Sequence, residues 1–176
     1  MPFRPGYFNR VVCIGVIQHT PDPAEAFACL AAAVRPGGTL AIDVYRRLVW
    51  WKQLLVTKYW VRPITRRIPA ETLYRLCERW VAPWWRVTGW VGKVTGHTKT
   101  SLLLLIPDYR GTHPLADDVQ KQWSTLDCFD MLSPAYDFPQ RAEDVRGWFE
   151  RAKLVDVEVG PGFNGLYGRG KRSNDR

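Results

Sequence analysis

The chain has 176 residues, 46% of them hydrophobic, which is enough for one domain, or most of one, around a sizeable core. Met1 to Phe8 carries Pro, Arg and Gly and no apolar segment, which excludes a secretory signal there. The longest apolar-looking stretch, Leu48 to Val61, is interrupted by Lys52, Gln53 and Lys58, so it is too short and too charged to span a bilayer. Cys13, Cys29, Cys77 and Cys128 lack paired metal-ligand spacing, and the expectation is reduced thiols in a cytoplasmic protein.

Val11 to Ile17 is a short apolar run rich in β-branched residues, as expected of a buried parallel strand. Asp22-Pro-Ala-Glu25 reads as a helix start: Asp22 can cap, Pro23 suits the first helical position and Glu25 completes a capping box. Ala26, Phe27, Leu30, Ala31 and Val34 then give one apolar helical face. Pro36-Gly37-Gly38 is expected to stop the helix, and Leu40 to Tyr45 is a second short strand. Strand, crossover helix and strand make a βαβ unit, and such sheets bind ligands outside the carboxyl ends of their strands. That places Gly15 to Thr20, and the Asp43 to Arg46 end, at the expected crevice.

Charge is distributed unevenly. Residues 46–99 hold twelve Lys or Arg against Glu71 and Glu78, a net of +10 within an overall +8, and seven of the nine tryptophans. Leu48 to Tyr59 and Ala70 to Trp85 read as helices separated by Pro63 and Pro69, so this block is expected to be a small helical cap. Three roles compete for it. Its aromatics pack on a core with solvated basic groups around them, or it attaches to an anionic membrane surface, or it binds nucleic acid. For the membrane role, Leu48, Trp51, Leu55 and Tyr59 share one helical face; for nucleic acid there is no recognised motif.

Ile106 to His113 reads as a polar loop. Val145, Trp148, Phe149 and Ala152 lie on one helical face, Leu154 to Val159 is a strand, and Gly165 to Gly170 can return antiparallel beside it. Ser173 to Arg176 is a polar tail. The expected division is residues 1–45 as strand, helix and strand, 46–100 as the basic cap, 101–172 as the closing part of the core, and 173–176 as the tail. His97 and His113 lack metal-ligand partners at convincing spacing, so no metal site is expected.

The run Phe3 to Pro23, with Val-Val-Cys-Ile-Gly-Val-Ile-Gln-His-Thr-Pro-Asp-Pro at its centre, and Arg35-Pro-Gly-Gly-Thr-Leu40 together resemble class I S-adenosylmethionine-dependent methyltransferases of the type 11 group. They look like that family's fourth strand, following helix and fifth strand. Trp123 to Asp137 and Ala142 to Val159 are similar to its last helix and final pair of strands. The resemblance implies a Rossmann-like α/β methyltransferase fold, N-terminally incomplete, with a helical insertion where the family often carries a variable segment that shapes the substrate site.

The same resemblance implies that Gly15, Val16, Ile17 and Gln18 line the methionine side of S-adenosylmethionine. His19 would then face the transfer centre, as general base or as a residue that orients the loop by a hydrogen bond. Tyr45, Arg46, Asp127 and Tyr136 are the substrate-side candidates, although Tyr45 reads equally as core and Asp127 and Tyr136 as turn or capping residues. Asp22 has the helix cap as its alternative role, and Asp43 that of a solvated strand end.

No Gly-x-Gly-x-Gly follows a strand, Gly160-Pro-Gly and Gly165 to Gly170 lie where the family has its closing strands, and the acidic residue that holds the cofactor ribose has no counterpart. About four of the expected seven strands are accounted for, with one antiparallel strand at the sheet edge, so the chain is expected to be the C-terminal part of a longer protein. Its sheet would then have one open apolar edge, prone to self-association. The expected activity is methyl transfer to a small metabolite, sugar or lipid-linked acceptor. The alternatives are a non-catalytic remnant without cofactor binding, and a lipid or quinone methyltransferase held peripherally at a membrane.

Overall fold

The computed structural model describes residues 2–95 and 104–174. In chain order the elements are β1 (Phe8–Ile14), a 3-10 turn (Ile17–His19), α1 (Pro23–Ala33), β2 (Val34–Tyr45), α2 (Trp50–Gln53), α3 (Lys58–Thr65), α4 (Ala70–Thr95), α5 (Asp117–Leu132), α6 (Ala142–Arg151), β3 (Leu154–Gly162) and β4 (Gly165–Arg172). They fall into two compact units, one of Met1–Leu48 with Tyr136–Arg176 and the other of Val49–Ala135.

The first unit is a four-stranded sheet of order β1-β2-β4-β3. β1 and β2 run parallel, with Arg10 opposite Thr39 and Ile14 opposite Asp43. β1 begins and ends three residues earlier than the apolar run alone indicates. Gly15 stops it by adopting φ +67°, a left-handed conformation that glycine takes without steric cost, while its N–H still bonds Asp43 O at 2.9 Å. Asp22 caps α1 by accepting hydrogen bonds from the amides of Ala24 at 2.9 Å and Glu25 at 3.0 Å.

Two expectations about the sheet are corrected. Pro36-Gly37-Gly38 does not end α1, which stops at Ala33; it lies in the irregular start of β2, where the pairing jumps between Phe8↔Val34 and Arg10↔Thr39. The antiparallel strand is not at the edge. β4 lies between β2 and β3 and is antiparallel to both. Its glycines explain the position: a Cβ on Gly168 would stand 2.7 Å from Phe149 Cε2, and one on Gly170 2.8 Å from Phe149 Cδ1. The glycine-rich C-terminal stretch therefore makes room for one aromatic ring against an inner strand. Arg172 completes the seam by donating to Val34 O at 2.7 Å.

Packing follows the apolar faces. Phe27 and Ala31 of α1 and Val145, Trp148 and Phe149 of α6 cover Leu40, Ile42, Val44 and Leu166. The Phe27 and Phe149 rings meet at 4.8 Å and 60°, and burying each such side chain contributes about 1.5–3 kcal/mol. β1 is hydrogen-bonded on the β2 side only, among the described residues, and presents Val12 and Ile14 at 62% and 61% exposure. A parallel βαβ start continued by an inner antiparallel strand gives a Rossmann-like α/β sheet.

The second unit is helical. Leu73, Cys77, Val81 and Trp85 recur along α4 at every fourth position and pack with Ile106, Cys128 and Leu132. The stretch expected as one helix from Leu48 to Tyr59 forms two short ones, and α4 continues beyond Trp85 to Thr95 with Pro83 inside it. Of the eight tryptophans here only Trp85 is buried, at 5% exposure. The 106–113 segment is absorbed into packing. Ile106 is fully buried, and Asp108 pairs with Arg110 at 2.6 Å. The Arg110 guanidinium in turn lies 4.0 Å over the Trp85 ring. His113 stacks on Trp123 at 5.2 Å.

Candidate active site

The carboxyl ends of β1 and β2 lie side by side because the strands are parallel, and most of the residues singled out from sequence converge there. After Gly15 the chain turns sharply: His19 N bonds Val16 O at 2.9 Å, and Thr20 closes on Ile17 O through both its amide and its hydroxyl, the latter at 2.7 Å. This tight turn sends alternate side chains in opposite directions. Val16 is 55% exposed, whereas Ile17 enters the core at 1%. Gly15 and Val16 therefore line the strand ends, and Ile17 supports the turn from below.

Gln18 is the least expected side chain in the turn. It is wholly buried, yet neither its Oε1 nor its Nε2 has a hydrogen-bond partner among the described residues. Its backbone is satisfied, since Phe138 N donates to Gln18 O at 2.9 Å. A buried primary amide without partners costs about 1–3 kcal/mol, so a side chain of this kind marks either a polar cavity or a ligand contact.

His19 is fixed from one side. Its Nδ1 lies 2.9 Å from Tyr136 O, and a carbonyl can only accept, so Nδ1 carries a proton and, in the neutral ring, Nε2 holds the lone pair. Nε2 is itself buried and makes no hydrogen bond with the described residues. The ring stands edge-on to Tyr45 at 5.3 Å and 90°. The loop-orienting bond and a basic nitrogen thus coexist on one ring.

Tertiary structure brings the 136–140 segment to this place. Besides the bonds to Gln18 and His19, Gln140 N donates to Tyr45 O at 2.8 Å and Arg47 N to Gln140 O at 2.8 Å, with a parallel bridge between Arg46 and Gln140. Tyr136 is 42% exposed and stacks on Phe138 at 5.9 Å. Tyr45 and Tyr136 therefore meet His19, and Arg46 follows Tyr45 with its side chain exposed.

Asp43 is not a solvated strand end. It is 8% exposed; its Oδ2 accepts from Asn164 N at 3.3 Å, while Oδ1 has no partner among the described residues. Asn164 belongs to the β3–β4 turn and was not singled out from sequence. The Asn164-Gly165 pair between two strands is a hairpin signal that locates the turn but not the long-range contact. The Nδ2 of Asn164 stands 3.5 Å from where a Cβ on Gly15 would be.

Asp127 lies elsewhere, on α5 in the helical unit. The Tyr109 hydroxyl donates to it, and burial raises its carboxyl above the ordinary value, against the lowering effect of that bond. Asp22 acts as the α1 cap. Among the described residues no group of three or more His, Cys, Asp or Glu is placed to hold a metal ion; His97 lies outside the described residues. No helix of the described residues is long and apolar enough to cross a membrane.

The residues present suit one end of S-adenosylmethionine. The Gly15 N–H and the Val16 carbonyl are taken by Asp43 O and His19 N, and the unpartnered Gln18 amide is a polar group that would suit the methionine end. A glycine-rich loop and a ribose-binding carboxylate for the adenosine end are not found in the 176 residues.

Residues 2–80 match a family model described as a methyltransferase domain. Over 69 residues the chain is 32% identical to the ubiquinone biosynthesis O-methyltransferase of Methylococcus capsulatus, a match covering 39% of this chain and 28% of that enzyme. Over 44 residues it is 43% identical to an uncharacterised Synechococcus protein, covering 25% of this chain and 11% of that one. These matches span less than a third of either relative. An O-methyltransferase family protein from Burkholderia thailandensis superposes with a TM-score of 0.43 at 13% identity, over 97% of this chain and 32% of its own. The family match falls on the strand, turn, helix and strand that build the site and covers less than half of the chain, which is similar there to methyltransferase domains.

Proposed function

We propose that this chain forms the acceptor-side half of a methyl-transfer site that uses S-adenosylmethionine and methylates a small or lipid-linked acceptor, at a hydroxyl. The observation that carries the reading is the buried, unpartnered polar set Gln18 and His19 Nε2 at the carboxyl ends of two parallel strands. Its likeness to enzymes named as ubiquinone biosynthesis O-methyltransferases supports the choice of oxygen as acceptor atom and of a lipid-linked acceptor.

Bound S-adenosylmethionine supplies an electrophilic methyl group. The amide of Gln18 holds its methionine end against Gly15 and Val16. His19 Nε2 takes the acceptor hydroxyl proton as the oxygen attacks, and the Nδ1–H bond to Tyr136 O keeps the ring in the tautomer able to do so. Tyr45, edge-on to His19, fixes the ring plane. Arg46 and Tyr136, exposed beside it, are the acceptor contacts within this unit.

Calorimetric titration of the chain with S-adenosylmethionine tests this. Saturable binding, even at millimolar affinity, that is lost in Gln18→Met and retained in His19→Gln supports the half-site. Absence of saturable binding at millimolar cofactor favours the second reading, a non-catalytic interaction protein. That reading draws on the lack of a glycine-rich loop and on the open β1 edge, through which the chain would self-associate.

A further inference from the structure

Helix α3 is built inside out. Along Lys58–Thr65 the polar residues Arg62 and Thr65 are each buried at 7% exposure, while Trp60 and Ile64 stand 64% and 67% exposed. The buried pair holds the helix in place. Arg62 donates to Met131 O at 3.1 Å and Pro134 O at 2.7 Å, and the Thr65 hydroxyl donates to Leu132 O at 3.0 Å. These are carbonyls at the end of α5, which a helix leaves without internal partners. With its polar side chains spent on that anchor, α3 turns its apolar ones outward.

The exposed face continues into α2. Trp60 Nε1 donates to Leu54 O at 2.9 Å, so the indole's polar tip is satisfied and its ring is left as apolar surface. Trp50, Leu54 and Leu55 are exposed at 77%, 52% and 63%. A contiguous patch of this kind on a soluble surface marks an interaction site. Its charge selects the partner: residues 49–69 carry Lys52, Lys58, Arg66 and Arg67 besides the buried Arg62, and neither Asp nor Glu. A second copy would bring like charge against like charge. Nucleic acid would use the rings and the cations but has no use for Leu54, Leu55 and Ile64. Tryptophan, branched aliphatics and Arg/Lys together match the boundary between acyl chains and anionic headgroups.

We propose that α2 and α3 form a docking surface for an anionic lipid bilayer, with Trp50, Leu55, Trp60 and Ile64 entering the interface and Arg66 and Arg67 against the headgroups. The surface acts through adsorption, since these helices are far too short to span. It goes beyond the methyl-transfer reading and holds whether or not the chain binds S-adenosylmethionine.

Sedimentation with phosphatidylcholine vesicles, with and without phosphatidylglycerol, decides it. The full chain should pellet with the anionic vesicles, release at high salt, and show a blue shift of tryptophan emission on binding. Ile64→Glu and Trp50→Glu, both at exposed positions, should each lower partitioning about tenfold with an unchanged circular dichroism spectrum. Arg66→Ala and Arg67→Ala should each lower it about fivefold. No binding to anionic vesicles, equal binding to neutral ones, or full binding by Ile64→Glu would each overturn the proposal. So would single-stranded RNA binding, lost in Trp50→Glu, by a chain that ignores vesicles. A cofactor titration of Ile64→Glu runs alongside, so loss of lipid binding and loss of cofactor binding are read separately.

Discussion

Replacing Gln18 by Met is the sharpest probe of the strand-end site, because it separates stability from binding. The side chain is fully buried with both amide atoms unpartnered among the described residues. An interior polar group in that condition costs about 1–3 kcal/mol, and Met keeps the length and flexibility of Gln while removing the amide. The substitution should therefore stabilise the ligand-free chain by about 2 kcal/mol. For a chain of 176 residues that corresponds to a rise in Tm of about 4–8 °C. The same change should weaken S-adenosylmethionine binding by about tenfold or more, since one or two hydrogen bonds to a charged ligand are lost. Differential scanning calorimetry with and without cofactor reads both effects. A lower or unchanged Tm for the variant would refute the reasoning, because it would mean that the amide is satisfied within the fold. A raised Tm with undiminished cofactor affinity would remove Gln18 from the binding site.

Gly168→Ala places a methyl group 2.7 Å from the Phe149 ring and should destabilise the sheet unit by about 1–3 kcal/mol in urea unfolding, with Gly168→Ala/Phe149→Leu recovering part of the loss. Arg62→Met leaves carbonyls of Met131 and Pro134 without their donor and should cost the helical unit about 1.5–3 kcal/mol, read from its own unfolding transition. For Asp127, burial holds the carboxyl above its ordinary value, so the folded state binds the proton more tightly than the unfolded one. Stability from this group therefore rises as pH falls through the folded value and levels off below the unfolded one. Asp127→Asn should be neutral or stabilising near pH 7 and lose that advantage below the ordinary aspartate range. Destabilisation by Asp127→Asn at neutral pH would show instead that the Tyr109 bond to the carboxylate outweighs its burial.

Much of the sheet unit could be read from local signals. Asp22 and Pro23 announce the start of α1, and the apolar recurrence along Ala142–Arg151 marks the face that α6 buries, because caps and helical periodicity act over a few residues. The placement of β4 is different in kind. Its glycines read as an antiparallel return, but what fixes them as an inner strand is Phe149 packed against them, and a contact between residues some twenty positions apart leaves no local trace. The same holds at the candidate site. Gly15 to His19 stand out in the chain, but the Nδ1 bond to Tyr136, a residue 117 positions away, decides which nitrogen of His19 is basic.

The α3 helix shows the converse. Residue type alone would bury Trp60 and expose Arg62. The structure reverses that, because the open carbonyls at the end of α5 offer Arg62 and Thr65 stronger partners than water. Sequence alone determined the βαβ start and the residues worth watching, since these rest on short-range caps, turns and periodicity. Tertiary structure alone decided the strand order, the tautomer of His19 and the outward face of α3. Each of those depends on which distant group fills the space and satisfies the hydrogen bond, and chain separation hides that from any local reading.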